Sequence, residues 1–148
     1  MTDSIIVDMD GTLADVSSIR HYVTGERKDF RSFHEASRFV PPRRDVEAWV
    51  RAAHVAGFGV VIVTARDERF ERATRDFLIR NSLHFDALFM RPWGDTRRDT
   101  AVKADILARV FESGFRPVFA IDDREDIASV WRSHGIPCHV VPSEDAPG

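Results

Sequence analysis

An α/β fold, a three-layer α/β/α sandwich around a central parallel sheet, is what this sequence predicts. Three observations carry it. Short β-branched apolar runs recur along the chain, amphipathic helical stretches separate them, and the three strongest runs end at Asp8, Thr64 and Asp122. Strands alternating with helices build βαβ units, and right-handed crossovers then place helices on both faces of the sheet.

The elements follow in order. Ser4-Ile5-Ile6-Val7-Asp8 is apolar on both alternating faces, the pattern of a strand covered on both sides. Val60 to Thr64 and Pro117 to Asp122 read the same way, and Ala87 to Met90 and Cys138 to Val141 are weaker strands. Arg44 to Ala56 puts Val46, Trp49, Val50 and Ala53 on one helical face and stops at Gly57. Glu68 to Asn81 carries Phe70, Ala73, Phe77 and Leu78. Thr100 to Glu112 carries Val102, Ile106, Leu107 and Val110 and ends at Gly114. Arg124 to His134 carries Ile127, Val130 and Trp131 and ends at Gly135. The stretch from Ala14 to Pro42 breaks the alternation. It is polar, rich in His, Arg and Phe, and reads as a small flap over the strand ends. Residues 142–148 read as a frayed tail.

The 148 residues fit one domain over 1–148, large enough to bury a core. The formal charge of −3 offers no global field for a polyanion. Lysine occurs only at Lys28 and Lys103, which draws attention to Lys103. The single cysteine, Cys138, allows no intrachain disulfide and reads as a buried thiol in a strand. The N-terminus lacks a basic and long apolar leader, and no apolar run reaches transmembrane length. The expected location is cytoplasmic, away from membranes.

Ligands bind beyond the carboxyl ends of strands in open parallel sheets. Asp8, Thr64 and Asp122-Asp123 should therefore converge although the sequence separates them. Asp8 and Asp10 flank Met9 at a strand exit, and Gly11 permits a sharp turn that Thr12 can cap. Four carboxylates so arranged repel one another, and a divalent cation removes that penalty. An oxygen-only set without a Cys or His cluster favours magnesium over zinc. Each piece alone is commonplace: an Asp-x-Asp-Gly turn, an Asp-Asp helix cap, a solvated lysine. The order and placement of all of them carry the signal.

At these residues the sequence resembles the haloacid dehalogenase superfamily of phosphohydrolases, which have a HAD-like, Rossmannoid fold. Ile6-Val7-Asp8-Met9-Asp10-Gly11-Thr12-Leu13 resembles the superfamily's first motif, Val63-Thr64-Ala65-Arg66 the second, Lys103 the third, and Ile121-Asp122-Asp123 the fourth. The resemblance implies that Asp8 attacks phosphorus and forms an aspartyl-phosphate, and that Asp10 acts as general acid and base. It implies that Asp8, the Asp10 backbone carbonyl and Asp122 hold magnesium, with Asp123 binding it through water or orienting Lys103. Thr64 and Lys103 would bind phosphoryl oxygens. An acid at Asp10 is similar to the phosphatases and mutases of this superfamily. The superfamily's large caps are missing, so the site is open or minimally capped.

Two further segments, Gly94-Asp95-Thr96-Arg97-Arg98-Asp99-Thr100-Ala101-Val102-Lys103 and Ala120-Ile121-Asp122-Asp123-Arg124 with Val130-Trp131-Arg132, resemble the 3′-phosphatase domain of the phage polynucleotide kinase-phosphatase type. That likeness implies substrate contacts from Arg66, Arg97, Arg98 and Arg20, with a solvated helix N-terminus the alternative for Arg97 and Arg98, and an Asp99 that steadies Lys103 across one helical turn. No Gly-x-x-x-x-Gly-Lys-Ser/Thr loop occurs, so the sequence carries no kinase module of that type.

The expected function is a magnesium-dependent phosphomonoesterase that removes 3′-phosphates from DNA or RNA ends. Binding a polymer would need a local arginine rim, for example Arg20, Arg66, Arg91, Arg97 and Arg98. One alternative is a phosphatase of free nucleotides or other small phosphomonoesters. Another is a phosphate-binding partner module for a separate kinase or ligase. The six histidines show no metal-ligand spacing and read as surface or core residues. Trp49 and Trp131 read as helix core residues. Trp93 reads as packed under its loop, with base stacking as the alternative.

Overall fold

The computed structural model describes residues 1–142. The tail predicted to fray thus lies, apart from Pro142, outside the described residues. Five strands form one parallel sheet in the order β3-β2-β1-β4-β5: β1 (Thr2–Val7), β2 (Gly59–Asp67), β3 (Ala87–Arg91), β4 (Phe115–Asp122) and β5 (Cys138–Val140). Helices α1 (Phe30–Ala36), α2 (Arg44–Val55), α3 (Glu71–Arg80), α4 (Asp99–Glu112) and α5 (Glu125–Ser133) complete the layers. The α/β prediction holds, including both weaker strands.

β1 is central because its side chains are apolar on both faces. Ile5 and Val7 enter one core with Val46 and Val50 of α2, Phe77 and Leu78 of α3, and Phe33 of α1. Ile6 enters the other with Val102, Ile106 and Val110 of α4 and Ile127 and Trp131 of α5. Period-two alternation in the strand thus feeds two separate layers of helix. The chain runs outward from β1 to β2 and β3, then crosses to β4 on the other side of β1. That reversal opens a crevice at the carboxyl ends of β1 and β4.

Two predictions need adjustment. The expected helix over 68–81 begins as a 3-10 turn, Glu68–Phe70, before α3 proper. Asp67 caps that turn through the Arg69 amide, which offers the chain a tighter path than an α-helical start. Trp49, expected in the core, is 43% exposed. Its ring lies against Phe119 and His139, at the margin of the sheet face that α2 covers.

The excursion 14–42 is tied at its base. Asp15 N–H donates to Pro41 O at 2.9 Å, and Arg43 N–H donates to Leu13 O at 2.9 Å. Between these ties lie a 3-10 turn, Ser17–Tyr22, and α1, whose start Asp29 caps by accepting the Ser32 amide. Val16, Ile19 and Phe33 are buried in the first core, so the excursion is anchored by packing.

Trp131 is fully buried, and its Nε1 makes no hydrogen bond among the described residues. Truncating it empties the second core, whereas Phe keeps a ring and removes an unsatisfied donor. Trp131→Ala is expected to cost about 3–5 kcal/mol and Trp131→Phe roughly half of that, read from urea unfolding.

Candidate active site

Asp8 follows directly on β1, and its amide still donates to Ile121 O of β4 at 3.1 Å. The chain then turns sharply: Thr12 and Ala14 amides both return to Met9 O. Gly11 makes the turn possible with φ of 78°. A Cβ there would also fall 2.5 Å from Asp123 Oδ2. Glycine is therefore required twice over, for its backbone and for its missing side chain.

The turn brings Asp8 to Asp122 and Asp123 at the end of β4, with carboxylate oxygens of all three within 4.8 Å of one another. Lys103, from α4, is 3% exposed and reaches into this nest. Its Nζ donates to Asp8 Oδ1 at 3.0 Å and to Asp122 Oδ2 at 2.9 Å. Thr12, buried, places its hydroxyl 3.1 Å from Asp8 Oδ2 and 3.1 Å from Asp123 Oδ1.

Burial and the Asp122 carboxylate push Asp8 up to about 6, against the pull of Lys103. Burial and Asp8 push Asp123 up to about 6. Burial raises Asp122 as well, in spite of Lys103. Burial opposes the charge of Lys103, but Asp8 and Asp122 hold it well above the usual lysine range. One ammonium is held by two of these three acids, and the carboxyls of all three are raised. A hard divalent cation fits this all-oxygen donor set. Asp8, Asp122 and Asp123 are the side chains that would hold it.

The Asp10 side chain turns elsewhere. Arg66 Nε donates to Asp10 Oδ2 at 2.9 Å, and a second guanidinium nitrogen pairs with Oδ1. Burial alone would raise the Asp10 pKa, but Arg66 holds it below the ordinary value. Arg66 also donates to Thr74 Oγ1 at 3.0 Å, so its guanidinium is engaged by protein. Thr64 is buried, and its hydroxyl accepts the Arg66 amide at 3.1 Å. Both residues lie where the β2–β3 register slips between Val63 and Asp67. This irregularity lets β2 run past Thr64, its expected end, and still turn Thr64 and Arg66 to the site.

One expectation fails. Asp99 does not steady Lys103; its carboxylate pairs with Arg91 and Arg124. Lys103 extends instead to the strand ends, where two buried carboxylates are stronger partners than one half-buried neighbour on its own helix. Asp123 likewise bonds Thr12, while Lys103 is held by Asp8 and Asp122. Arg97 lines the cleft but pairs with Asp95 and Asp105. Arg98 is exposed at the head of α4 and is not among the described residues lining the cleft. Arg20 does line it, and its charge helps lower Asp10.

Three contributors, Thr12, His34 and Phe70, escaped the sequence reading, and Arg91, expected on an arginine rim, has another task. Thr12 was legible only as a turn cap. Arg91 ties β2 to the loop between β3 and α4 by donating to the carbonyls of Ala65, Asp95 and Arg97 at 2.9, 3.0 and 2.7 Å. His34 and Phe70 stack with centroids 3.9 Å apart and line the same cleft, which holds about 810 Å³. No sequence spacing links residues 34 and 70. Burial, and then the nearby Arg66, push His34 down to about 4, so it is neutral at pH 7.

The sheet order, the acid nest at β1 and β4, and the buried lysine define a phosphatase-type domain of the haloacid dehalogenase superfamily. More narrowly, residues 2–145 match the family described as the polynucleotide kinase PNKP phosphatase domain, and the chain belongs to that family. Its fold is similar to a chain of the Pnkp1/Rnl/Hen1 complex, with a TM-score of 0.82 and 22% identity over 99% of this chain. The match covers 48% of that chain, so this chain spans about half of its length. It is also similar to the class C acid phosphatase from Bacillus anthracis with tungstate bound, with a TM-score of 0.73 and 11% identity over 98% of this chain and 68% of that one. None of the described helices is long and apolar enough to cross a membrane.

Two outcomes follow from the charges. Lys103→Met leaves Asp8 and Asp122 buried together without their ammonium. A loss of about 3 kcal/mol or more is expected in urea unfolding with chelator present, and added magnesium should restore part of it. His34 contributes stability that is full above pH 6.5 and is lost as pH falls toward 4. From pH 7 to 4.5, wild type should lose roughly 2–3 kcal/mol relative to His34→Phe, measured by urea melts across that range.

Proposed function

We propose that this chain is a magnesium-dependent phosphomonoesterase that works through an aspartyl-phosphate and removes 3′-phosphates from DNA or RNA ends. The observation that carries this reading is the buried Lys103 bridging Asp8 and Asp122 at the two central strand ends. It fixes Asp8 at the mouth of a nest built for anionic oxygens and a cation.

Asp8 attacks phosphorus in line, the phosphorus–oxygen bond to the ester breaks, and the leaving oxygen takes a proton from Asp10. Water then attacks the aspartyl-phosphate and gives its proton to Asp10. Asp8 and inorganic phosphate are released. In the resting site Arg66 keeps Asp10 ionised. As general acid Asp10 needs its proton, so Arg66 has to let go of it when substrate enters, which frees Arg66 for the substrate phosphate. Thr64 and Lys103 stabilise charge on the phosphoryl oxygens. Asp8, Asp122, Asp123 and the Asp10 backbone carbonyl would hold magnesium, which would neutralise the carboxylates and the incoming dianion.

Membership of the PNKP phosphatase-domain family supports a nucleic-acid end as substrate. Residues 1–148 would then act as one phosphatase domain, with 14–42 a small flap and no large cap to exclude a polymer. Arg20 is a substrate-side residue; Arg97 and Arg98 are outer contacts, and Asp99 organises Arg91 and Arg124 rather than Lys103. A free nucleotide is the second reading, favoured by a cleft volume of about 810 Å³ that suits a nucleotide-sized ligand. Similarity to a chain of an assembly described as an RNA repair complex supports a separate kinase or ligase as partner.

Phosphate release with magnesium should be seen from a 3′-phosphorylated oligonucleotide and be much slower from its 5′-phosphorylated counterpart. Chelation should abolish it. Asp8→Asn is expected to lower kcat by at least about 1,000-fold. An Asp8→Asn enzyme that keeps wild-type turnover would overturn the nucleophile assignment.

A further inference from the structure

The wall of the cleft facing away from the acid nest has an organisation that phosphate chemistry does not use. His34, buried and neutral, stacks on Phe70 with centroids 3.9 Å apart. The Arg69 guanidinium stands 5.5 Å from the Phe70 ring centroid and 5.0 Å from that of Trp93. Imidazole, phenyl and guanidinium thus line the cleft in series and lead to the indole, which stands just beyond the lining. The rim is fixed in place. Asp67 Oδ1 accepts Arg69 Nε at 3.2 Å, and Glu68 Oε2 accepts the Trp93 amide at 3.2 Å. Trp93 is nevertheless 70% exposed, against the expectation that it packs under its loop. Its loop neighbour Gly94 lines the cleft with Asp8 and Lys103.

An exposed indole held by a guanidinium leaves one large π-face open at low conformational cost. Rings of every base can stack on such a face, whatever the sequence. The arginine, paired with Asp67, keeps its cation against the ring. We propose that Trp93, braced by Arg69, is a stacking platform for the nucleobase of the nucleotide whose phosphate enters the acid nest. This rests on the proposed reading for the nature of the occupant. It adds a specificity determinant to it: the site recognises a base and not merely a phosphomonoester. Trp93 is a positioning residue, touching substrate away from the reacting atoms.

The test compares wild type, Trp93→Ala and Trp93→Phe on 3′-phosphorylated single-stranded oligonucleotides with either a normal or an abasic terminal residue. Trp93→Ala should raise KM for the base-bearing end by about tenfold or more and leave kcat within about twofold. On the abasic end it should change neither, and Trp93→Phe should recover most of the lost affinity. A KM equal to wild type on the base-bearing end, or raised equally on both ends, overturns the platform. A second readout needs no phosphate release. An unphosphorylated single-stranded oligonucleotide should quench tryptophan emission of wild type, and Trp93→Phe should abolish that quenching. If this quenching is seen and wild type releases no phosphate from either oligonucleotide, the reaction is rejected and the platform stands. Equal quenching of both proteins, or of neither, rejects the platform itself.

Discussion

Three carboxylates within 4.8 Å of one another, two of them joined by one buried ammonium, are the constraint on which the rest of this structure depends. Like charges out of water are tolerated only with compensation on every side. The sheet supplies that geometry. β1 and β4 are hydrogen-bonded neighbours, so Asp8 and Asp122 leave adjacent strand ends by necessity. Gly11 then folds the chain back tightly enough for Asp123 to occupy the space a side chain would take. Lys103 comes from α4, which is anchored beneath by Val102, Ile106 and Val110. An error in any of these placements would leave a buried charge without a partner.

The balance left over is negative, and that has a functional consequence. A nest satisfied by lysine alone would be a structural ion cluster, with pKa values near or below normal. Here Asp8 and Asp123 are pushed up to about 6, which marks a site still short of positive charge. A hard divalent cation would complete it.

Strand positions were legible because β-branched runs on both faces of a central strand leave little else for the chain to do. Ile5, Ile6 and Val7 announce two cores before any tertiary contact is known. Asp8, Thr64, Lys103 and Asp122 were legible because strand-end acids and a rare lysine recur in a fixed order. Choice of partner was not legible. Asp99 and Lys103 sit four residues apart on one helix, yet each finds a stronger partner on another element: Arg91 and Arg124 for the one, Asp8 and Asp122 for the other. Helical spacing sets which side chains are able to meet, and tertiary burial sets which ones do. Trp49 and Trp93 show the same limit for apolar residues. A helical face predicts burial only where the next layer extends far enough, and a loop tryptophan is held by whichever cation its neighbour provides.

The two walls of the cleft divide the work of recognition by physical type. One is made of charges whose energies depend steeply on distance and burial, which suits a phosphoryl group that must be held in line. The other is a stack of rings around a guanidinium, whose attraction is broad, tolerant of rotation and insensitive to hydrogen-bond pattern. Such a wall discriminates poorly among bases but well between a nucleotide and a bare phosphate ester. A chain with a formal charge of −3 has little long-range attraction to offer a polyanion. Affinity for a strand end therefore has to come from short-range contacts beside the reacting phosphate. An exposed indole braced at the rim is one contact of that kind that this fold presents.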